Sequence, residues 1–239
     1  MQNYIIEKPG ILKQLAINPI EYNEDYVVTK ANFNETPYLR FGYMLPYIQE
    51  ELKTSKKGIL EIGYGNGKFL EIAKGFLGDI IEIAGHDISG VDVPEGVKFY
   101  PELDKALKKD WLMLCMFDVL EHFPNPREVL EKCRGRVKYI YLTVPNSNQM
   151  SFENDSEFYK FMENEYAHLK PNEHLWHFDS NGLSSLMSEY GYTNIQENFA
   201  LEDVTRKRKY ECFKYFDSRQ KLFGVGSNTI TGLFVSTEI

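Results

Sequence analysis

The sequence predicts an α/β protein with a doubly wound, mostly parallel sheet of seven strands. Short apolar runs typical of buried strands alternate with amphipathic runs typical of helices. The run at 111–117 is continuously apolar, as expected for a central parallel strand that is covered on both faces. A loop with three glycines joins the strand predicted over 58–62 to the helix predicted over 68–76, which is typical of a strand-to-helix turn in such sheets.

The remaining core elements follow the same alternation. Further strands are predicted over 80–84, 97–100, 137–144, 192–201 and 227–237. Further helices are predicted over 36–53, 104–109, 126–133 and 179–190. The turn-forming residues between the second and third core strands are too few for a crossover helix, since a whole crossover takes at least ~10–12 residues.

Two segments lie outside this regular pattern. We predict an N-terminal arm and helix over 1–54, irregular at first and with a short strand at 26–28. The core then occupies 55–239. Residues 147–172 follow the fifth core strand and combine acidic residues with an aromatic helical stripe. We expect this insert to form a helical lid.

Composition narrows the class of partner. The net charge of -8 argues against a nucleic acid or an anionic membrane as the partner of the whole surface. The longest apolar run, from Trp111 to Leu120, contains an aspartate and is too short to span a bilayer. The three cysteines form no CxxC pair, and no basic region leads into an apolar one at the N-terminus. We therefore expect a cytoplasmic protein. As for its oligomeric state, we expect a monomer or a homodimer.

The glycine loop narrows the choice of cofactor. Gly63, Gly65 and Gly67 alternate after Glu61, which gives the pattern E-x-G-x-G-x-G. A dinucleotide fingerprint needs a small residue where this chain has Lys68. A phosphate-binding P-loop needs serine or threonine after its Gly-Lys pair, and phenylalanine stands there. A glycine-rich turn without a ligand is the alternative.

Polar residues follow two of the predicted strands. Asp87 lies at the end of the second core strand, where a carboxylate can accept both ribose hydroxyls of an adenosine group. The alternative is a turn-forming aspartate. Asp118, Glu121 and His122 follow the central strand, where side chains point into the crevice of an α/β sheet. In the alternative interpretation Asp118 starts a turn, with Glu121 and His122 on the surface.

The glycine loop resembles the first motif of class I S-adenosylmethionine (SAM) dependent methyltransferases. The run Phe117–Pro124 resembles the DVLEH segment of small-molecule methyltransferases, including the branch similar to ubiquinone-biosynthesis O-methyltransferases. Thr143–Asn146 and Glu173–Phe178 resemble two later segments of that branch, so the resemblance covers roughly 58–195. Tyr64 departs from it, because that position usually holds a smaller residue.

The resemblance implies a Rossmann-like SAM methyltransferase fold, with SAM as cofactor and S-adenosylhomocysteine (SAH) as product. It implies these cofactor-binding residues: Glu61, Gly63, Tyr64, Gly65, Asn66, Gly67, Asp87, Ile88, Phe117, Asp118, Val119 and His122. We expect a small-molecule acceptor, with O-methylation favoured. His174 and then His122 are the candidate general bases, because imidazole titrates near neutral pH.

Several other interpretations stay open. The domain could be a methyltransferase-like binding module without activity, a NAD-dependent oxidoreductase, or a methyltransferase that acts on a macromolecule. Glu173, His174, His177 and His122 could approach one another, but the chain lacks the HExxH pattern of a zinc site, so we expect no metal. The basic run Arg206–Lys209 is either a solvated turn or a docking patch for an anionic substrate.

Overall fold

The computed structural model describes residues 4–15, 20–25, 27, 36–55, 57–147, 156–157, 160, 168, 170, 173–196 and 229–239. Within this part of the chain, seven strands form the main sheet in the order β5-β4-β3-β6-β7-β10-β9. Their bounds are β3 Gly58–Ile62, β4 Ile83–His86, β5 Lys98–Phe99, β6 Trp111–Phe117, β7 Val137–Pro145, β9 Tyr192–Gln196 and β10 Thr229–Ser236.

The sheet is parallel on one side and antiparallel on the other. β3 pairs in parallel with β4 and β6, β4 with β5, and β6 with β7. β10 runs antiparallel to both β7 and β9. Every residue of β3 and β6 is buried, which agrees with their continuous apolar sequences. The predicted doubly wound, mostly parallel sheet of seven strands is confirmed.

The helices have the bounds α1 Thr36–Ile48, α2 Lys68–Leu77, α3 Leu103–Ala106, α4 Pro126–Cys133 and α5 Ser180–Glu189. Short 3-10 turns cover Glu51–Lys53 and Leu120–His122. Two N-caps define helix starts. The side chain of Asn125 accepts a hydrogen bond from the N–H of Arg127 at 3.2 Å, and that of Asp179 accepts one from Gly182 at 2.8 Å. Pro46 lies inside α1 without ending it.

The second core strand lies three residues later than the sequence predicted. The amides of Ile80 and Ile81 donate to the carbonyl of Leu77, at 2.8 and 3.0 Å, so these residues close helix α2 instead of entering the sheet. Pairing with β3 begins only at Ile83, opposite Ile59. The strand predicted over 80–84 is therefore corrected to Ile83–His86.

The N-terminal arm begins with a regular hairpin, whereas its described residues 20–23 are irregular, as predicted. β1 (Tyr4–Lys8) and β2 (Ile11–Gln14) form a hairpin, and β2 pairs antiparallel with β8 (Trp176–Phe178). Gly10 turns this hairpin with φ +78°. The strand predicted at 26–28 is wrong at Val27, whose amide donates to the carbonyl of Asn23 at 3.2 Å, as in a helical turn.

Some predictions fall on parts of the chain that the structure does not describe. The predicted lid is described only at its first residue and at 156–157, 160, 168 and 170, of which 156–157 and 160 have helical backbone. The basic run Arg206–Lys209 lies outside the described residues. Among the residues that are described, no helix is long and apolar enough to cross a membrane.

Candidate functional site

A cavity of about 320 Å³ opens where strands β3, β4 and β6 end. This is the edge of a parallel sheet where α/β proteins bind ligands. The lining includes seven of the twelve residues predicted to bind the cofactor: Gly63, Gly65, Asp87, Ile88, Asp118, Val119 and His122. The structure thus brings together residues that are far apart in the sequence.

The glycine loop adopts a conformation that side chains disfavour. Gly63, Gly65 and Gly67 have φ values of +69°, +54° and +70°. A Cβ atom on Gly63 would lie 2.5 Å from Cγ2 of Val119, so the loop packs tightly against the segment after β6. A Cβ atom on Gly65 would meet no heavy atom within 4 Å. Gly65 therefore leaves open backbone at the cavity for a ligand.

Asp87 is held by two backbone amides. Its Oδ2 accepts a hydrogen bond from the N–H of Gly65 at 2.9 Å, and its Oδ1 accepts one from Ser89 at 2.7 Å. Each carboxylate oxygen can accept a second bond, so capacity remains for two hydroxyl groups of a ligand. Because one of these bonds comes from the glycine loop, Asp87 and the loop hold each other in place.

Glu61 is a buried carboxylate just before the loop. It is 4% exposed, and its Oε2 finds no hydrogen-bond partner among the described residues. Burial raises the pKa of this carboxyl well above its ordinary value. The Asp87 charge raises that pKa further, whereas Arg40 opposes the shift. Glu61 is not itself part of the cavity lining, but it directly precedes the lining residues Ile62 and Gly63. A positively charged ligand in the cavity would favour the ionised form of the Glu61 carboxyl.

Four other predicted residues, Tyr64, Asn66, Gly67 and Phe117, lie outside the lining of the cavity. Tyr64 is buried, its hydroxyl donates to the carbonyl of Val91, and burial raises its pKa to about 12. Asn66 Oδ1 accepts from the amide of Lys68 at 3.2 Å, where α2 begins. Gly67 is the N-cap of α2. Tyr64, Asn66 and Gly67 thus make contacts that fix the loop and the start of α2, instead of lining the cavity.

Asp118 has an unusual backbone for a residue with a side chain. Its φ is +56°, and its amide donates to the carbonyl and to Oγ1 of Thr143 at 2.9 and 3.1 Å. The Asp118 side chain is half exposed and lies 3.6 Å from the guanidinium of Arg40. Arg40 also lies 4.1 Å above the centre of the Phe117 ring. The anchored turn aims a carboxylate at the cavity.

His122 is the histidine of the predicted pair that lines the cavity. Its Nδ1 lies 2.7 Å from the carbonyl oxygen of Glu173 and 2.8 Å from the hydroxyl of Tyr22. A carbonyl can only accept, so we assign the proton to Nδ1, which leaves the lone pair on Nε2. Burial is the main cause that lowers the pKa of His122, so the ring is neutral at physiological pH.

His174 lies behind His122 and is not part of the cavity lining. The two ring centres are 4.8 Å apart, and Nδ1 of His174 lies 2.8 Å from the carbonyl oxygen of His168. Burial first, and then the neighbouring His122 and His177, lower its pKa to about 2. An imidazole with so low a pKa is a weak base, which makes His174 a poor general base. Of the two histidines, only His122 lies where it can contact a ligand in the cavity.

The alternative that placed Glu121 on the surface is wrong. Glu121 is 0% exposed, and neither of its carboxylate oxygens has a hydrogen-bond partner among the other described residues. Burial raises the pKa of this carboxyl well above its ordinary value, with Asp118 adding to the shift. Glu121 lies in the short 3-10 turn Leu120–His122, which comes two residues after the fully buried strand β6, and both Leu120 and Glu121 are buried there.

Sequence reasoning missed several residues at this site. Tyr22, Ser89 and Phe123 line the cavity, and Arg40 anchors Asp118. Ser89 and Phe123 lie beside predicted residues and could have been found by extending the motifs. Tyr22 belongs to a segment without periodicity, and Arg40 lies on a helix whose packing the sequence did not reveal.

Comparison with known proteins identifies the family. The model of a family described as "Methyltransferase domain" matches residues 38–197, which is more than half of the chain. The comparison with curated protein sequences gives no significant match. The matched region includes the glycine loop, Asp87, Asp118 and the two histidines described above.

Solved structures show the same fold at low sequence identity. The plantazolicin methyltransferase BpumL in complex with SAH is 16% identical, with a TM-score of 0.54 over 89% of this chain and 90% of that chain. A putative sarcosine dimethylglycine methyltransferase from Galdieria sulphuraria is 14% identical, with a TM-score of 0.54 over 84% and 86%. Magnesium protoporphyrin IX methyltransferase from Synechocystis, with bound SAH, is 10% identical, with a TM-score of 0.50 over 87% and 89%.

Proposed function

Because this chain belongs to the methyltransferase domain family, we propose that it transfers a methyl group from SAM to a hydroxyl group of a small-molecule acceptor. The family and the fold make it a SAM-dependent methyltransferase. The proposal concerns the acceptor and the residues that serve it. One observation carries it: the open glycine loop, the anchored Asp87 carboxylate and His122 line a single cavity.

The cofactor part of the cavity fits SAM by its chemistry. The Asp87 carboxylate suits the ribose hydroxyls, and open backbone at Gly65 allows close approach. The orphaned Glu61 carboxylate suits the cationic methionine end. When bound, SAM supplies a methyl group that is already activated on its sulfonium.

The protein contributes chiefly by positioning the cofactor and the acceptor and by keeping water out of the site. Holding two reactants in a reactive geometry can lower a barrier by roughly 7–11 kcal/mol. The residues that would hold the acceptor are those of the lining that do not serve the cofactor, including Tyr22, Phe123 and Pro124. Their aromatic and apolar character suits a small acceptor with an apolar body.

A hydroxyl acceptor must lose its proton during transfer. His122 lines the cavity, and burial keeps its ring neutral, so it is the group that we propose to take this proton. His174 contacts the His122 ring at 4.8 Å between centres and would act through it. We therefore assign His174 as a positioning residue. Preference for oxygen over nitrogen or carbon rests on the resemblance to ubiquinone-biosynthesis O-methyltransferases.

The binding test is calorimetric titration with SAH, with NAD(H) run in parallel. We expect SAH to bind and NAD(H) not to bind. Asp87→Asn should weaken SAH binding at least ~10-fold, because the amide loses the charge and half of the acceptor capacity. Asp92→Asn is the matched control, since Asp92 is exposed and outside the lining. Binding of NAD(H) alone would support the oxidoreductase, and binding of neither would support the non-catalytic module.

The acceptor test is transfer of labelled methyl groups from SAM to a panel of small hydroxylated, aminated and macromolecular substrates. We expect hydroxylated small molecules to be labelled. His122→Asn should lower kcat while SAH affinity changes little, since its role is in the chemical step. Equal kcat for wild type and variant on every acceptor would remove His122 from the reaction. Labelling of only amines or macromolecules would overturn the proposed acceptor class.

A further inference from the structure

Three metal-ligating side chains converge next to the cavity. Glu121, His122 and His174 each offer one ligand atom, and these atoms lie within 4.8 Å of one another. Nε2 of His122 lies 3.8 Å from Oε1 of Glu121, which is too far for a hydrogen bond. Glu121 is 0% exposed and His174 is 4% exposed, so the cluster is withdrawn from solvent.

The Glu121 carboxyl lacks partners that its burial requires. Both oxygens are buried, and apart from the backbone amide of Glu121 itself no part of the chain that the structure describes donates a hydrogen bond to them. A buried carboxyl without partners costs free energy whether it is ionised or protonated. Protonation alone would not solve this, because the acid proton would still need an acceptor and the nearest imidazole nitrogen is 3.8 Å away. A positively charged ligand bound between the three side chains would give the Glu121 carboxylate the partner that it lacks.

Both imidazoles are oriented as metal ligands are. Nδ1 of His122 lies 2.7 Å from the carbonyl of Glu173, and Nδ1 of His174 lies 2.8 Å from the carbonyl of His168. Each ring therefore donates its Nδ1–H to the backbone and keeps the lone pair on Nε2. Outer hydrogen bonds of this kind fix the tautomer of histidine ligands in metal sites.

We propose that Glu121, His122 and His174 bind a divalent transition-metal ion of the Zn²⁺ type. One carboxylate and two imidazoles form a ligand set that zinc uses in three-ligand sites, with a fourth position left for water or a substrate atom. Ligands at ~2.0–2.1 Å from a tetrahedral ion are about 3.4 Å apart, so side-chain movements of about 1 Å would close the site. Mg²⁺ and Ca²⁺ fit less well because they prefer oxygen ligands.

A bound ion would change the roles of His122 and His174 in the proposed reaction. With an ion on both Nε2 atoms, neither imidazole is a free base. The ion would instead lower the pKa of a water or hydroxyl in its open position, which serves the same deprotonation. Metal binding itself does not depend on the proposed function, since it can be measured without any acceptor.

The test uses protein purified without a metal-chelate column. Elemental analysis and calorimetric titration with Zn²⁺ would measure stoichiometry and affinity, and titration with Co²⁺ would show visible absorption bands typical of tetrahedral coordination. We expect one Zn²⁺ for each chain and such a Co²⁺ spectrum. Failure to bind either ion, or a Co²⁺ spectrum typical of six oxygen ligands, would overturn the proposal.

Matched variants locate the ion. Glu121→Gln and His174→Gln should each weaken Zn²⁺ binding at least tenfold. Glu61→Gln and His86→Gln are the controls. Glu61 is also a buried carboxyl, with one oxygen that has no partner among the described residues, and His86 is also buried with its Nδ1 on a backbone carbonyl. Both controls should bind Zn²⁺ as the wild type does. Equal loss in variants and controls would overturn the assignment, and circular dichroism would confirm that each protein is folded.

Discussion

The guanidinium of Arg40 lies 3.6 Å from the carboxylate of Asp118. Arg40 comes from helix α1, which precedes the glycine loop, whereas Asp118 follows the central strand β6. The same guanidinium stacks on Phe117 at 4.1 Å from the ring centre and opposes the raised pKa of Glu61. Arg40 thus links α1 to both sides of the cofactor cavity.

We predict that Arg40→Lys destabilises the protein by about 1 kcal/mol and weakens SAH binding. Lysine keeps the charge but loses the flat guanidinium that stacks on Phe117. Urea denaturation and calorimetry would measure the two effects. Arg136→Lys is the control, because Arg136 is half exposed and its ion pair with Asp110 is long, at 3.9 Å. Equal losses in the two variants would contradict a special role for Arg40.

We predict that the strained backbone of Asp118 lowers the stability of the fold, while it holds the carboxylate at the cavity. Glycine tolerates the φ of +56° without strain, so Asp118→Gly should be about 1 kcal/mol more stable than Asp118→Ala, or ~2–4 °C higher in Tm. The same change should lower methyl transfer, because the carboxylate is lost from the cavity. Asp118→Ala also removes the carboxylate but keeps the strained backbone. If the glycine variant is no more stable than the alanine variant, backbone strain is not the cause.

Gly65→Ala should weaken SAH binding at least ~10-fold while costing only about 1 kcal/mol of stability. The added Cβ meets no protein atom within 4 Å, so its main effect is on a ligand in the cavity. Gly90→Ala tests the backbone effect alone. Gly90 has φ +85° and lies outside the cavity lining, and its Cβ atom would come no closer than 3.9 Å to a protein atom. Calorimetry should show normal SAH affinity for that control, and a similar loss in both variants would refute steric exclusion.

His177 should make the fold acid-sensitive. Burial, with His168 adding to it, lowers its pKa to about 3 from an ordinary value of 6.5. Above pH 6.5 both folded and unfolded states hold it neutral. Below pH 6.5 only the unfolded state gains the proton, so stability is lost as pH falls towards 3. At pH 5 this loss amounts to about 2 kcal/mol.

The variant His177→Gln cannot take up this proton. Its unfolding free energy should therefore fall less than that of the wild type between pH 7 and pH 5, as urea denaturation at several pH values would show. The buried Glu61 and Glu121 act in the opposite sense. Their pKa values are raised in the folded state, so their stability contribution is greatest at low pH and is lost as pH rises. Parallel curves for the two proteins would contradict the prediction for His177.

The main sheet was predictable because local patterns specify it. The apolar run of β6 and the glycine loop after β3 carry their structure within a few residues. The second sheet was not predictable, because β1 and β2 are short and β2 pairs with β8, which lies more than 160 residues later in the chain. Such pairing depends on contacts between distant segments, which periodicity does not record.

Site residues could be predicted from the sequence where they directly follow a predicted strand, and not elsewhere. Asp87 and His122 were found because they follow apolar strands at the cofactor edge of the sheet. For Glu121 the sequence left an exposed position open as the alternative, since a charge beside a strand end can point either way. The tautomers of His122 and His174 depend on carbonyls of Glu173 and His168, which only the folded chain brings close.

The pairing of Ile11 with Phe178 in the second sheet has a consequence for biosynthesis. The β1–β2 hairpin leaves the ribosome early, but its third strand is made only after most of the main sheet. Until then the buried faces of Ile11 and Leu12 have no cover, and an unpaired strand edge invites association with other chains. We expect the hairpin to stay uncovered until β8 has been made, whereas β10 and β9 complete the main sheet only after that.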